Sequence, residues 1–350
     1  MKALTVNPKI KSSTNLKDVS EPPLHEGSIL LEMVAVGICG TDREITQGKY
    51  GWAPNGSSDL IIGHESLGRV IESDDDKSFK KGDLVVGIVR RPDPVPCLNC
   101  AVNEWDMCSN GQYTERGIKE RNGYLSERFR LEPEFAIKVD KGLGELAVLL
   151  EPTSVVAKAW EHTFDIGKRA KFLPRTVLVT GAGPVGLLAA LIGKQKELDV
   201  HVLDKVTSGP KVSLVRELGA KYYSNLDQIK ESKLKFDIIL ECTGAVNLLF
   251  EISGFSAADG IICLAGVSSG AHAIQVDVGT LERKIVLENQ VIFGSVNAGK
   301  RHYEQAAAAL AKGNPAWLKQ LITRRVPIDR WQEAFELQPN DIKNIIVGAQ

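Results

Sequence analysis

The chain has no apolar run long enough to cross a bilayer; its 43% hydrophobic content is broken into short pieces. A membrane partner is therefore not expected. Nor is there an excess of either charge, with 43 Lys and Arg against 44 Asp and Glu and a net charge of −1. Nucleic acid or an acidic polymer calls for a concentrated basic surface, so neither is expected as a partner. The opening residues MKALTV lack the apolar core of a signal peptide and read as the start of a strand. Six cysteines are present, but they do not form the framework of a secreted disulfide scaffold. Two of them, Cys242 and Cys263, fall in the apolar stretches FDIILEC and GIICLAG and read as core. Together these absences point to a reducing cytoplasm. What remains is a chain of 350 residues, long enough for two domains with full cores, and without internal repeats.

The segment Val34–Glu65 carries the chemistry. It reads VAVGICGTD, then a polar loop, then IIGHE. One hydrophobic strand ends at Ile38 and delivers Cys39; a second ends at Ile62 and delivers His64 and Glu65. Gly40 and Gly63 are expected to let the backbone crowd close. A thiolate, an imidazole and a carboxylate from separate strand ends make a zinc shell with an open fourth position, the requirement for Lewis-acid catalysis. Thr41, two residues past the cysteine, is placed to pass a proton. Taken singly, Cys39 also reads as an ordinary core thiol and His64 as a satisfied imidazole, though the zinc reading is favoured.

A second motif weighs against that plainer reading. Thr176–Thr180 is a β-branched run, followed by Gly181, Gly183 and Gly186 as G-x-G-x-x-G and then by an apolar helix that Pro184 and Val185 open. The first glycine makes the turn, the second lets a pyrophosphate approach, and the third lets helix pack on strand. The flanking strand and helix supply the context this fingerprint needs. The next strand, Val200–Leu203, ends on Asp204, about twenty residues past the first glycine, where a carboxylate meets the ribose hydroxyls of NAD. The neighbouring Lys205 and Lys211 leave NADP open as a second cofactor.

The texture changes along the chain. Up to about Leu150 it is rich in short strands, Gly and Pro, as in SILLEMVAVG and KGDLVVGIV, which reads as a barrel-like β domain. Beyond Glu151, strands near Thr176, Val200, Tyr222, Phe236, Ile261 and Val291 alternate with helices near Leu187, Val212, Asn247 and Leu281. That alternation predicts an α/β doubly wound parallel sheet. After Val296 come two helical stretches and a terminal strand, KNIIVG, expected to return to the first domain. The boundaries are thus 1–150 with 297–350, and 151–296.

These motifs together resemble the zinc-dependent medium-chain alcohol dehydrogenases. GICGTD, GHE, KGDLVV, LLEPTSV and VTGAGPVGLLA occur in order over essentially the whole chain. Within that superfamily GICGTDREI, VRRP, ERGI, GYLSE and GSVN are similar to the archaeal-type glucose 1-dehydrogenases. The resemblance implies a GroES-like catalytic domain beside a Rossmann domain, and a homo-oligomer of two or four chains. It also implies a small-molecule sugar substrate, oxidised at C1 to a lactone. The implied shell is Cys39, His64 and Glu65, with Glu151 as a direct or water-bridged ligand. Glu151 precedes Pro152 at a helix start, where a carboxylate also complements the helix dipole. Glu115 and Asn297 match positions that contact sugar hydroxyls in that family. Val89 and Val155 depart from polar residues found there, which bears on the sugar epimer. A second, structural zinc is implied on Cys97, Cys100 and Cys108. The family's first cysteine is missing, Pro94 standing in its place, and Asp93, Asp106 or water is left as fourth ligand. Two alternatives stand beside this reading: a polyol or secondary-alcohol dehydrogenase on the same scaffold, and a non-catalytic nucleotide-binding protein.

Overall fold

A computed structural model describes residues 1–74, 77–268, 275 and 277–348. It divides into two compact units, Met1–Ser154 with Asn297–Gln350, and Val155–Val296. Among the described residues no helix is long and apolar enough to cross a membrane.

The first unit is built on the strand Ile29–Ile38. Its sequence, ILLEMVAVGI, is buried almost throughout because it lies inside a seven-stranded sheet. Glu65–Ser73 pairs along one edge. The other edge is shared, with Arg128–Leu131 against its first half and Lys343–Val347 against its second. All three pairings are antiparallel. The C-terminal strand thus lies beside the strand end that delivers Cys39. A further strand, Ile322–Pro327, pairs with it in parallel. That strand was not expected from sequence; ITRRVP carries two arginines and a proline, which mask the β pattern at a sheet edge. The core beneath includes Leu31, Val36, Ile45, Ile62, Tyr124 and Phe129.

The second unit is a six-stranded sheet, all parallel. Numbered along the chain, Thr176–Thr180, Asp199–Leu203, Lys221–Tyr223, Phe236–Glu241, Ser256–Leu264 and Val291–Gly294 lie in the order 3-2-1-4-5-6. Val177, Leu178 and Val179 are all fully buried, which requires cover on both faces of the sheet. The expected helices are present, together with a short one, Leu226–Ser232, whose polar sequence LDQIKES gave no apolar stripe to read. Cys263 is buried within its strand as expected. Cys242 instead sits just past the end of Phe236–Glu241 and is only half-buried.

Candidate active site

Cys39 caps the helix Gly40–Thr46, and its sulfur accepts from the Thr41 amide at 3.2 Å. Asp42 closes the same turn, accepting from the Cys39 amide at 2.9 Å. Its other oxygen lies 3.3 Å from His64 Nδ1. With Nδ1 facing Asp42, the ring presents Nε2 to Cys39 Sγ at 3.2 Å. A carboxylate behind a histidine, fixing its orientation, is the usual support of a metal-ligating imidazole. Burial alone would lower the His64 pKa, but the negative charges of Cys39 and Asp42 hold it well above its ordinary value. Asp42 is fully buried, yet His64 and the Cys39 amide keep its carboxyl below its usual range.

Glu65 completes the cluster: ligand atoms of Cys39, His64 and Glu65 all lie within 4.8 Å of one another. One sulfur, one imidazole nitrogen and one carboxylate, converging and largely buried, fit a zinc ion. Glu65 is contested, however. Lys343 Nζ, on the C-terminal strand, lies 2.6 Å from both of its oxygens, and both side chains are nearly inaccessible. Burial would lower Lys343, but the charges of Glu65 and Cys39 keep it above its ordinary value. Glu65 therefore reaches a cation only by sharing an oxygen with Lys343 or releasing it.

The glycine that matters is Gly37. It pairs in register with Glu65, and a Cβ there would fall 1.9 Å from Glu65 Oε2. The carboxylate occupies the space a side chain would take. Gly63 does crowd close, with φ +90° and Leu125 and Val36 against it. Gly40 does not: it is exposed at the helix start, and a Cβ there would meet nothing within 4 Å.

Glu151 lies in the first turn of the helix Leu150–Gly167, outside the 4.8 Å cluster. It is buried, and that burial raises its pKa to about 7, with Glu65 and Asp42 adding to the effect and His64 and Lys343 opposing it. It therefore lies within electrostatic reach of the shell.

Glu115 and Asn297 are brought together, with Asn297 Nδ2 donating to Glu115 Oε1 at 2.7 Å. Asn297 holds this position at φ +60°, a conformation asparagine tolerates better than most residues. Arg90, which sequence reasoning passed over except as part of VRRP, donates twice to the same oxygen and stacks 3.7 Å over Tyr113.

In the second unit the glycine motif adopts the turn its spacing predicts. Gly181 has φ +86°, Gly183 caps the helix Pro184–Gln195, and Val185 follows Pro184 in its first turn. A Cβ on Gly183 would meet nothing within 4 Å, so the backbone there is open to a phosphate. A Cβ on Gly186 would lie 1.8 Å from the Gly181 carbonyl, so the third glycine is needed for packing. Asp204 is tied to this turn, accepting from Ala182 N at 2.6 Å and Val206 N at 3.2 Å. Lys205 beside it is exposed.

Two family models cover most of the chain. Residues 25–141 match the alcohol dehydrogenase GroES-like domain, and residues 144–347 match the glucose dehydrogenase C-terminus. The glucose 1-dehydrogenase of Methanocella arvoryzae is 37% identical, with all of both chains covered. Glucose 1-dehydrogenase 2 of Vulcanisaeta moutnovskia is 39% identical over 99% of each. The chain belongs to the glucose dehydrogenase family of zinc-dependent medium-chain dehydrogenases. A solved structure of Haloferax mediterranei glucose dehydrogenase, in complex with NADP, Zn and gluconolactone, superposes with a TM-score of 0.92. That match covers all of both chains at 29% identity. The α/β architecture expected from sequence is the architecture of this family.

One feature expected from the family is altered here. Cys97, Cys100 and Cys108 do converge, their sulfurs lying within 4.8 Å of one another. Neither proposed carboxylate joins them. Asp93 accepts from Val95 N at 2.9 Å and also bonds the Asn110 amide, while Asp106 is buried 3.8 Å from His302 Nδ1. Among the described residues the sulfurs are the only Cys, His, Asp or Glu ligand atoms in this group, and Asn110 Oδ1 is 3.1 Å from Cys108 Sγ. The Ser109 amide chiefly draws the Cys97 thiol down to about 6, whereas burial pushes Cys100 up to about 11. Three converging thiols suit a soft cation.

Proposed function

We propose that the chain oxidises an aldose of the glucose or galactose type at C1, giving the lactone and passing hydride to NAD or NADP. The observation that carries this is the convergence of Cys39 Sγ on His64 Nε2, backed by Asp42 and joined by Glu65, within the glucose dehydrogenase family. Cys39, His64 and Glu65 would hold a catalytic zinc, with Glu151 a direct or water-bridged ligand. Such an ion supplies a Lewis acid that lowers the pKa of an alcohol oxygen. The residues of the chain do the rest. Thr41, its amide already tied to Cys39 Sγ, takes the C1 hydroxyl proton on its own hydroxyl and passes it outward. Lys343, bonded to both oxygens of Glu65, holds that carboxylate in place. Glu115 and Asn297 bind the remaining sugar hydroxyls, for which carboxylates and amides are suited and an apolar slot is not. Gly181–Gly186 receives the pyrophosphate and Asp204 the adenosine ribose. Steady-state assays with glucose, galactose, sorbitol and threonine, each with both dinucleotides, test the reading. The aldoses should dominate kcat/KM; dominance of sorbitol or threonine would make this a polyol or secondary-alcohol enzyme instead.

NAD should be preferred over NADP, with both used. The Asp204 carboxylate repels a 2′-phosphate whose charge is roughly −2 at neutral pH, and exposed Lys205 offsets part of that. Asp204→Ala should move the ratio of kcat/KM values about tenfold toward NADP. A wild type that already favours NADP, or a variant with an unmoved ratio, removes Asp204 from the recognition of ribose.

Cys97, Cys100 and Cys108 hold the structural zinc in this reading. Elemental analysis should find two zinc ions per chain, falling to one in Cys100→Ser with a lower unfolding midpoint before turnover suffers. One zinc per chain, retained in that variant, contradicts the assignment.

A further inference from the structure

Glu115 has one oxygen fully engaged and one spare. Oε1 accepts from Arg90 Nε at 3.1 Å, Arg90 Nη2 at 3.0 Å and Asn297 Nδ2 at 2.7 Å. No described residue donates to Oε2, and that atom is not sealed from solvent. A carboxylate clamped on one side and open on the other is an acceptor prepared for a hydroxyl.

Beside it stands an aromatic pair with no apolar cover. Tyr50 and Trp52 are 40% and 43% exposed, their ring centroids 5.2 Å apart at an interplanar angle of 73°. Exposed single apolar residues are ordinary, but two large rings packed edge to face at the surface are a preformed contact. Their position is fixed. Trp52 N donates to the Ile118 carbonyl at 2.9 Å, and Glu120 N donates to the Trp52 carbonyl at 2.9 Å. Glu120 in turn pairs in register with Glu115. The main chain of Trp52 thus lies two strand spacings from that of Glu115, roughly 9–10 Å. The Tyr50 hydroxyl is held above its usual pKa by burial first and by the Glu115 charge second, which places the two within electrostatic reach. Gly51 between them has φ +96° and packs against Ile45, on the short helix that Cys39 caps. The pair is therefore anchored to the element that carries the thiol, about 10 Å along it.

We propose that Tyr50 and Trp52 form an apolar platform for the C–H face of a pyranose, while Glu115 Oε2 accepts from one of its hydroxyls. The platform rests on the sugar-oxidation reading above and gives it a basis for selectivity. A pyranose chair offers a flat patch of C–H bonds that an aromatic ring can cover. An open-chain polyol has no such face, so the platform favours aldoses over polyols.

The test is the dissociation constant for glucose, measured by calorimetry on the zinc-loaded full chain with the reduced dinucleotide, which cannot accept hydride. Trp52→Ala should weaken glucose about tenfold and Trp52→Phe should restore most of it, with zinc content and dinucleotide affinity unchanged. In turnover the same factor should appear in KM for glucose, with kcat within about twofold. If Trp52→Ala misfolds by circular dichroism, Tyr50→Ala carries the same comparison. Glucose binding within twofold of wild type in a folded variant overturns the platform, and normal sugar oxidation by that variant leaves the functional reading standing. Trp52-dependent glucose binding without any oxidation keeps the platform and removes the reading. A wild type that binds no sugar overturns both.

Discussion

Cys39→Ser and His64→Ala should each lower turnover by about 10³-fold or more while leaving dinucleotide affinity close to wild type. The first half follows from the shell. Cys39 Sγ and His64 Nε2 are 3.2 Å apart, so removing either would leave a cation held by this proposed shell with too few ligands. Losing a Lewis acid removes several kcal/mol of transition-state stabilisation, and each 1.4 kcal/mol is about tenfold in rate. The second half follows from placement. Both residues lie in Met1–Ser154, whereas the glycine turn and Asp204 lie in Val155–Val296. Metal content, turnover and dinucleotide titration on the same preparations check this. Near-normal turnover in a zinc-free variant would overturn the metal mechanism.

Lys343→Met should be among the most destabilising single changes in the chain, costing about 3–5 kcal/mol in the metal-free protein. The buried Lys343–Glu65 pair has both carboxylate oxygens at 2.6 Å from one ammonium. Replacing the pair by well-packed neutral groups can be nearly neutral, but removing one partner strands a charge. The double variant Lys343→Met/Glu65→Gln should therefore recover much of the loss. Zinc should recover part of it too, since the cation replaces the missing ammonium. For pH the sign is fixed by Lys343 sitting above its ordinary value. Its contribution is fully present below about pH 10 and fades only as pH rises beyond that, so neutral buffers see all of it. Urea unfolding with and without zinc measures each of these. A loss under about 1 kcal/mol in the single variant means the pair does not hold Glu65.

Much of this was legible because the motifs are local. G-x-G-x-x-G between a β-branched strand and an apolar helix needs only nearby residues, and the structure repeats that local logic. The convergence of Cys39, His64 and Glu65 was partly legible: Cys39 follows the strand Ile29–Ile38, while Glu65 opens the neighbouring strand Glu65–Ser73. Lys343 was not, because its partner lies 278 residues away and no spacing rule links KNIIV to GHE. A lysine leading a β-branched run was the one available hint. Asp42 was in plain view within GICGTD, but its role depends on the helix turn that lets it bond the Cys39 amide and lie 3.3 Å from His64 Nδ1 at once. Gly37 was overshadowed by Gly40 and Gly63, which looked more important; an isolated glycine inside a strand pattern was the signal for close approach. The three-cysteine lobe shows the opposite limit. Spacing brought the sulfurs together, yet the choice between Asp93 and Asp106 is a matter of tertiary packing: Asp93 accepts from Val95 N, and Asp106 lies 3.8 Å from His302 Nδ1.

The central claim is that hydride leaves C1 of an aldose. Turnover of [1-²H]glucose by the zinc-loaded enzyme, with the reduced dinucleotide recovered and its nicotinamide C4 examined by NMR, tests it directly. The account predicts one deuterium at C4 per lactone formed, and no transfer by the His64→Ala protein. Reduced dinucleotide without deuterium, formed while glucose is consumed, would contradict it.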